Sequence, residues 1–465
     1  MKHIKYFSFF ALMTFAINAT AQSTDWTIAT ASSLVGDNSI IREWGTSCII
    51  YTDESSTSGK FSLISESYYP TQNIKHVPLR FRYKVRDFVI LGDTVFFVGN
   101  YNNRGFWGYF NINTVFGNGD SIRYYLTKRE NLFIGENGTV GWYREYLDFD
   151  ELQVVQGSGP TQLLFVGDMK ETLVDNINPW TTHTPCLIHV TIGSSNFEYA
   201  YNNASSEHFD DIALVNNNIV VVSRETNATD TANLLFRTYS LPFSSLSSNV
   251  IYSQTTSPSV SKVHITPITG NIFATVHHGR TNAPTLNKGL FVEYYTLITN
   301  YYSQQITRFS FSHTPFPGGF SGAEDIRGSV YNASSSTLSV LLTTNALGLS
   351  NPESVLYKFD CSSYPASSCS TAYKANQGIL LHSLCNGSSS HFIASGRQAS
   401  GLLAVRDLYT APSSCLTSST ATVTAQSATD NIGSSPAPLE IRYYTAIRQA
   451  NRVTPTTIQY TVSCQ

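Results

Sequence analysis

The chain has 465 residues, 42% of them hydrophobic and only 13% charged, with a net charge of −3. That charged share is about half the usual one, and no run of Lys and Arg offers the counterion-releasing surface that nucleic acid requires. Nucleic acid is therefore excluded as a partner, and the length suits either two or three ordinary domains or one large repeated fold.

The first residues read as an export signal. Lys2 and Lys5 precede an apolar stretch from Tyr6 to Ile17, and Ala19-Thr20-Ala21 is a small-residue cleavage site. Residues 1–21 are expected to be a cleaved signal peptide, because the apolar run is too short to span a bilayer. Gln22, not Cys, follows, which disfavours a lipid anchor. Residues 22–465 are then expected in the periplasm or outside the cell, with no transmembrane segment.

The cysteines suit that compartment. Cys48, Cys186, Cys361, Cys369, Cys385, Cys415 and Cys464 show no zinc spacing, so disulfides are expected. Candidate pairs are Cys361 with Cys369, Cys385 with Cys415, and Cys48 with Cys464, which leaves Cys186 over. Spacing alone does not set the connectivity.

One pattern recurs along the chain: a β-branched or aromatic run, a polar loop, then a second such run. It begins with Ile49–Asp53 and Phe61–Ile64, and continues with Phe96–Asn100 and Gly108–Ile112, then Leu164–Asp168 and Leu187–Val190. Val220–Arg224 and Leu234–Tyr239, Phe273–His277 and Leu290–Tyr294, Val340–Thr344 and Val355–Phe359, and Phe392–Gly396 and Leu402–Val405 complete it. Successive copies lie roughly 47 to 68 residues apart, a blade-sized period. Apolar segments such as Phe88–Leu91, Ile212–Val215 and Ile379–Leu381 precede the hairpins. Amphipathic ones such as Leu79–Tyr83, Ile122–Tyr125, Phe197–Tyr201 and Ile441–Tyr444 lie outside them. The order predicts an all-β fold, a single β-propeller of about seven four-stranded antiparallel blades, with six or eight as alternatives. Thr417 to Pro438 reads as an irregular excursion. Thr456–Val462 reads as a terminal strand that pairs with the first blade and closes the ring.

On that repeat architecture the chain resembles the secreted β-propeller superfamily, across nearly all of residues 22–465. No family motif accompanies the resemblance: WD repeats, sialidase-type boxes, EF-hand loops and P-loops are missing. The resemblance implies ligand binding where the central channel opens, and no particular activity.

In an antiparallel quartet, residues that start the first strand share a rim with those that end the second. The strand starts supply Arg86, Asp87, Asp148, Asp150, Glu207, His208, Asp210, Asp211, Lys262, His264, Glu324, Asp325 and Arg327. The hairpins supply Asp53, Asp168, Arg224, Glu225, His277, His278, Arg280 and Arg397. Such density in a charge-poor chain marks a candidate polar rim. Structural capping and interblade pairing are the competing account of each residue. Trp107, Trp142 and Trp180 fall in or near loops, where they would stack on sugar rings. No cofactor or metal is expected, and the protein is expected to be a monomer. Two functions follow. One is a non-catalytic binding protein for a glycan, peptide or partner protein. The other is a glycan-active hydrolase or lyase using Asp210, Glu324 or Asp325 with His277 or Arg327.

Overall fold

A computed structural model describes residues 26–29, 38–55, 58–65, 73–102, 104–127, 130–134, 140–155, 159–174, 180–201, 207–226, 232–246, 250–257, 262–280, 288–298, 301–303, 307–312, 324–344, 354–362, 368–375, 378–386, 391–398, 401–408, 416–419, 422–427, 439–459 and 461–462. The expected signal peptide lies outside the described residues.

The fold is all-β and antiparallel, and its strands form seven units. β1 (Trp26–Ala29) comes first. Unit one is β2 (Ser39–Trp44), β3 (Ser47–Ser55), β4 (Ser58–Ser65) and β5 (Asn73–Pro78). Unit two is β6 (Tyr83–Leu91), β7 (Thr94–Tyr101), β8 (Arg104–Asn111) and β9 (Ser121–Thr127), with the helical turn α1 (Ile112–Gly117) before β9. β10 (Glu130–Ile134) pairs with the first strand of unit three, which holds β11 (Val140–Val155), β12 (Gln162–Val174), β13 (Trp180–Thr191) and β14 (Asn196–Tyr201). Unit four is β15 (Glu207–Val215), β16 (Asn218–Thr226), β17 (Ala232–Ser240) and β18 (Val250–Ser257). Unit five is β19 (His264–Thr269), β20 (Ile272–Arg280) and β21 (Lys288–Ile298), whose outer side carries β22 (Tyr301–Ser303) and β23 (Thr307–Ser312). Unit six is β24 (Glu324–Asn332), β25 (Thr337–Thr344), β26 (Ser354–Asp360) and β27 (Ser368–Ala375). Unit seven has β28 (Ile379–Asn386), β29 (His391–Gln398) and β30 (Gly401–Leu408), and β1 supplies its fourth strand, with Trp26 opposite Arg406.

The C-terminal segment adds an outer strand to units six, five, three, two and one in turn and then to unit seven, and among the described residues adds none to unit four. β31 (Leu416–Ser419) pairs with β27 and β32 (Thr422–Ser427) with β23. β33 (Glu440–Arg452) bridges β14 and β9. β34 (Thr456–Gln459) pairs with β5, and β35 (Thr461–Val462) with β1. The expected pairing of the terminal strand with the first unit is therefore present, through β34. The expected irregular excursion at Thr417 to Pro438 is corrected by β31 and β32 as far as Ser427, and 428–438 lie outside the described residues. The Thr-rich sequences of β31 and β32 lack apolar alternation because an outermost strand needs a backbone partner more than a core face.

Seven apolar clusters hold the units together, and each lies between two consecutive units. Phe97 packs between units one and two while its neighbour Val98 packs between two and three. Val221 and Val222 divide likewise between the clusters on either side of unit four. Strand geometry sends successive side chains to opposite faces, and here both faces are covered, which explains the continuous apolar runs. The remaining clusters join units five and six, six and seven, and seven and one. In α1, Asn111 caps the first turn by accepting the Thr114 N–H, and Ile112, Val115 and Phe116 face the core.

Three local expectations change. Leu79–Tyr83 is a turn between β5 and β6, with Arg82 at φ 71°, so the outer strand of unit one lies just upstream. Trp107 is not in a loop: it sits fully buried in β8, stacked on Tyr125 with centroids 5.5 Å apart. Gly105 and Gly108 flank it because a methyl there would strike the rings of Phe149 and Phe97. Those glycines made the segment look like a loop. Finally, no two cysteines of the described residues lie at disulfide distance. Cys48, Cys186, Cys361 and Cys385 are all buried, and the expected disulfides of Cys48, Cys361 and Cys385 are not found. Cys48 and Cys385 fill the core between units seven and one, and Cys361 Sγ lies 3.5 Å from the Tyr294 hydroxyl. Each acts as a small apolar side chain. Cys415, Cys464 and the Cys369 side chain lie outside the described residues.

The recurring glycine of the second strands has a specific cause. Gly99 and Gly396 face the residue that precedes a β-bulge in β6 and β28, and a methyl on either would collide with the carbonyl of Lys84 or Leu380. Gly99→Ala and Gly396→Ala are each expected to lower unfolding free energy by about 1–3 kcal/mol. Gly159→Ala, with nothing near its position, is expected to stay within about 0.5 kcal/mol of wild type. Urea titrations of the three variants provide the check.

Candidate functional site

Five first strands contain a β-bulge at the same place in the repeat. The segments are Val85-Arg86-Asp87-Phe88, Phe149-Asp150-Glu151-Leu152, Phe209-Asp210-Asp211-Ile212, Ile326-Arg327-Gly328-Ser329 and Leu381-His382-Ser383-Leu384. A bulge sets two residues against one and re-aims side chains. Here it lets polar residues occupy an otherwise apolar strand. Neighbouring first strands also pack together in succession: β2 on β6, β6 on β11, β11 on β15, β15 on β19, β19 on β24, β24 on β28, and β28 on β2.

These strands, or the residues just ahead of them, line one cavity of about 870 Å³, to which all seven units contribute. Its ionisable wall comprises Arg42, Asp53, Lys84, Arg86, Asp87, Asp150, Glu151, Asp211, Lys262, His264, Asp325, Arg327 and His382. Among the described residues no group of three His, Cys, Asp or Glu is placed to hold a metal ion.

Many of these groups stitch one unit to the next. Asp87 accepts from Arg42 of unit one (2.6 Å) and from the Leu152 N–H of unit three (3.0 Å). Asp211 accepts the Ile265 N–H of unit five at 2.8 Å. Tyr51 accepts the Val85 N–H at 3.0 Å and donates to Asp53 at 2.5 Å. Ser354 accepts the Leu381 N–H at 2.8 Å, and Ser383 the Ile41 N–H at 3.3 Å. Lys262 reaches from unit five to Glu151 of unit three at 2.5 Å.

Burial sets the protonation of the wall. It pushes Asp87 up to about 6 against the pull of Arg42. Asp211 lies well above the usual carboxylate range, through burial first and the neighbouring Glu151 charge second. Burial opposes the Lys262 ammonium, but Glu151, Asp150 and Asp211 outweigh it and raise its pKa. His382, 3% exposed, is lowered to about 3 by burial and then by Arg327 and Arg397. At neutral pH the imidazole is therefore uncharged.

The cavity brings together Arg86, Asp87, His264, Asp325 and Arg327 of the residues expected at the rim, together with Asp53, Asp150, Asp211 and Lys262. Others lie elsewhere. Asp210 is buried between Arg224 Nε (2.7 Å) and the Val263 N–H (3.0 Å). Asp168 is exposed on β12, outside the cavity wall. His277 is fully buried and stacks on Phe291, while Arg397 is half-buried on β29. The side chains of His278, Arg280 and Glu324 lie outside the described residues. Glu207 forms a buried pair with Arg237, the closest contact being 2.8 Å.

Sequence reasoning missed Arg42, Lys84, Glu151 and His382. His382 and Glu151 carried a usable signal: aligning the five bulge segments puts a polar pair between apolar residues in four of them, Ile326-Arg327-Gly328-Ser329 being the exception. Arg42 had none, because β2 has no bulge and continues its ladder without a register shift.

No protein-family model matches the chain, and no curated protein matches it.

Two outcomes test this account. Arg237→Met strands a buried Glu207 carboxylate and is expected to cost about 3–5 kcal/mol, whereas adding Glu207→Gln recovers most of that loss. Chemical denaturation of the single and double variants decides it. The second concerns acid. Above its unfolded pKa of 6.5, His382 is neutral in both states; as pH falls toward 3 the unfolded chain binds the proton and the folded one does not. His382 thus withdraws stability across that window, while Asp87, raised to about 6, withdraws it as pH rises from 4 to 6. His382→Gln removes only the first contribution. Its stability relative to wild type should rise steadily on acidification from pH 6.5, as read from melting temperatures.

Proposed function

We propose that the protein is an exported β-propeller whose central cavity binds a polar small ligand, carbohydrate first among the classes that fit. The seven antiparallel units, the apolar cluster that joins the last unit to the first, and the succession of first-strand contacts support wedges around one axis. The features of residues 1–21 support export.

One observation carries the ligand reading. In a chain with so few charges, thirteen ionisable side chains from seven separate units line a single cavity of about 870 Å³. That volume falls within the range of small-molecule pockets. The wall offers both donors and acceptors, which suits hydroxyl-rich molecules. A flat apolar patch for a protein partner is not needed to explain it.

A second reading has its own support. Asp211 is biased toward its protonated form while Glu151 is held beside the Lys262 ammonium. A carboxyl group raised by burial near a second carboxyl group is the raw material of acid–base catalysis on a glycosidic bond. In this reading Asp211 and Glu151 replace Asp210 and Glu324 as the working pair.

Calorimetric titration with a panel of neutral and acidic oligosaccharides separates these readings. Binding by wild type, weakened about tenfold or more in an Arg86→Ala/Lys262→Ala variant and unaltered in Asp168→Ala, supports the cavity. Silence across the panel, or equal binding by all three proteins, removes it. Chain shortening of any member, lost by about a hundredfold or more in Asp211→Asn, establishes the catalytic reading instead.

A further inference from the structure

The wall of units six and seven differs from the rest in one respect. Arg327 and His382 occupy the same bulge position in adjacent units, on first strands β24 and β28 that pack together. Both line the cavity. Arg327 Nε and His382 Nε2 are each buried without a hydrogen-bond partner. Arg327 uses Nη2 on Asp325 at 3.3 Å, which leaves Nε uncommitted. His382 Nδ1 lies 3.4 Å from Ser39 Oγ, which in turn lies 2.9 Å from Ser395 Oγ. When the Ser39 hydroxyl donates to Nδ1, the single imidazole proton resides on Nε2. Two N–H donors, one of them on a cation, then lie within cavity-lining side chains with no acceptor.

A buried donor left unmatched is costly, and more so on a charged group. Elsewhere in the wall, carboxylates and cations of the protein satisfy one another, as Asp87 does Arg42 and Glu151 does Lys262. Around Arg327 and His382, Asp325 takes Arg327 Nη2, and the guanidinium Nε and the imidazole Nε2 are left over. The missing component is an acceptor, and a carboxylate matches the charge of a guanidinium best.

We propose that Arg327 and His382 form a carboxylate-binding subsite, so that the natural ligand of the cavity is acidic. The proposal rests on the reading of the cavity as a ligand site. The carboxylates Glu151 and Asp211 on the wall of units three and four would accept hydroxyl donors from the same molecule. A uronic acid carries both features, and a simple dicarboxylate carries only the first.

Three probes distinguish the sources: D-galacturonate, D-galactose and succinate, titrated calorimetrically into wild type, Arg327→Gln, Arg327→Lys and His382→Gln. Galacturonate is expected to bind about tenfold to a hundredfold more tightly than galactose. Arg327→Gln and His382→Gln should erase that preference, and Arg327→Lys should restore part of it. Succinate binding with the same sensitivity supports the subsite and assigns it to organic acids in general. Equal binding of galacturonate and galactose, or a preference indifferent to Arg327→Gln and Arg327→Lys, overturns the subsite and leaves the cavity reading standing. If none of the three probes binds, the subsite is overturned, and the oligosaccharide panel alone decides the cavity reading. Should a Gln variant fail to fold, the wild-type discrimination and Arg327→Lys still decide whether the subsite stands.

Discussion

The first strands of neighbouring units approach one another without a shared backbone ladder, and the structure answers this with side chains. Buried oxygens of Asp87, Asp211, Tyr51, Ser354 and Ser383 each accept a main-chain N–H from the next unit. An unpaired N–H in such a place would be expensive, so each junction needs an acceptor of the right length at the right register. A first-strand bulge provides it for Asp87, Asp211 and Ser383, while Tyr51 of β3 and Ser354 of β26 supply the other two. By adding one residue to the first strand, the bulge turns a polar side chain toward the neighbouring strand without moving the apolar residues that follow from their own faces.

This arrangement couples folding to the cavity. Several groups that hold the units in register, Asp87, Asp211 and Ser383 among them, are also groups of the cavity wall, so their chemistry is doubly constrained. Asp87 is fixed by Arg42 and Leu152, and its acidity reflects burial as much as pairing. Glu151 and Lys262 reach across unit four's position to meet. Against that background of mutual satisfaction, the donors on units six and seven stand out as the part of the wall not required for assembly.

The repeat was legible because strands covered on both faces leave long apolar runs, such as Phe96–Val98 and Val220–Val222, at blade-sized spacing. Arg86, Asp87, Asp150, Asp211, Lys262, His264, Asp325 and Arg327, all at strand starts, share the cavity wall, since direction alternates predictably in an antiparallel quartet. The rim assignment failed for His277, where strand alternation turns the ring into the core against Phe291, and for Asp210, drawn off to Arg224. Runs end where polarity begins, so the reading of β28 stopped at Leu381, one residue before His382. Cysteines misled because compartment chemistry says that thiols can pair, while only geometry says whether they meet. The outermost strands were illegible for another reason: β31 and β32 have no hydrophobic signature of their own and are defined by their partners.

Those outermost strands bear on how the chain is made. Because β33, β34 and β35 pair with β14, β9, β5 and β1, the C-terminal segment touches elements synthesised hundreds of residues earlier. Likewise β1 must wait for β30 before its hydrogen bonds exist. A nascent chain therefore carries open sheet margins throughout translation, and such margins invite pairing between molecules. Delaying compaction until synthesis ends, as passage through an export channel in an unfolded state would do, removes that hazard. The long-range strand pairings written into this topology thus favour a late, concerted assembly over growth one unit at a time.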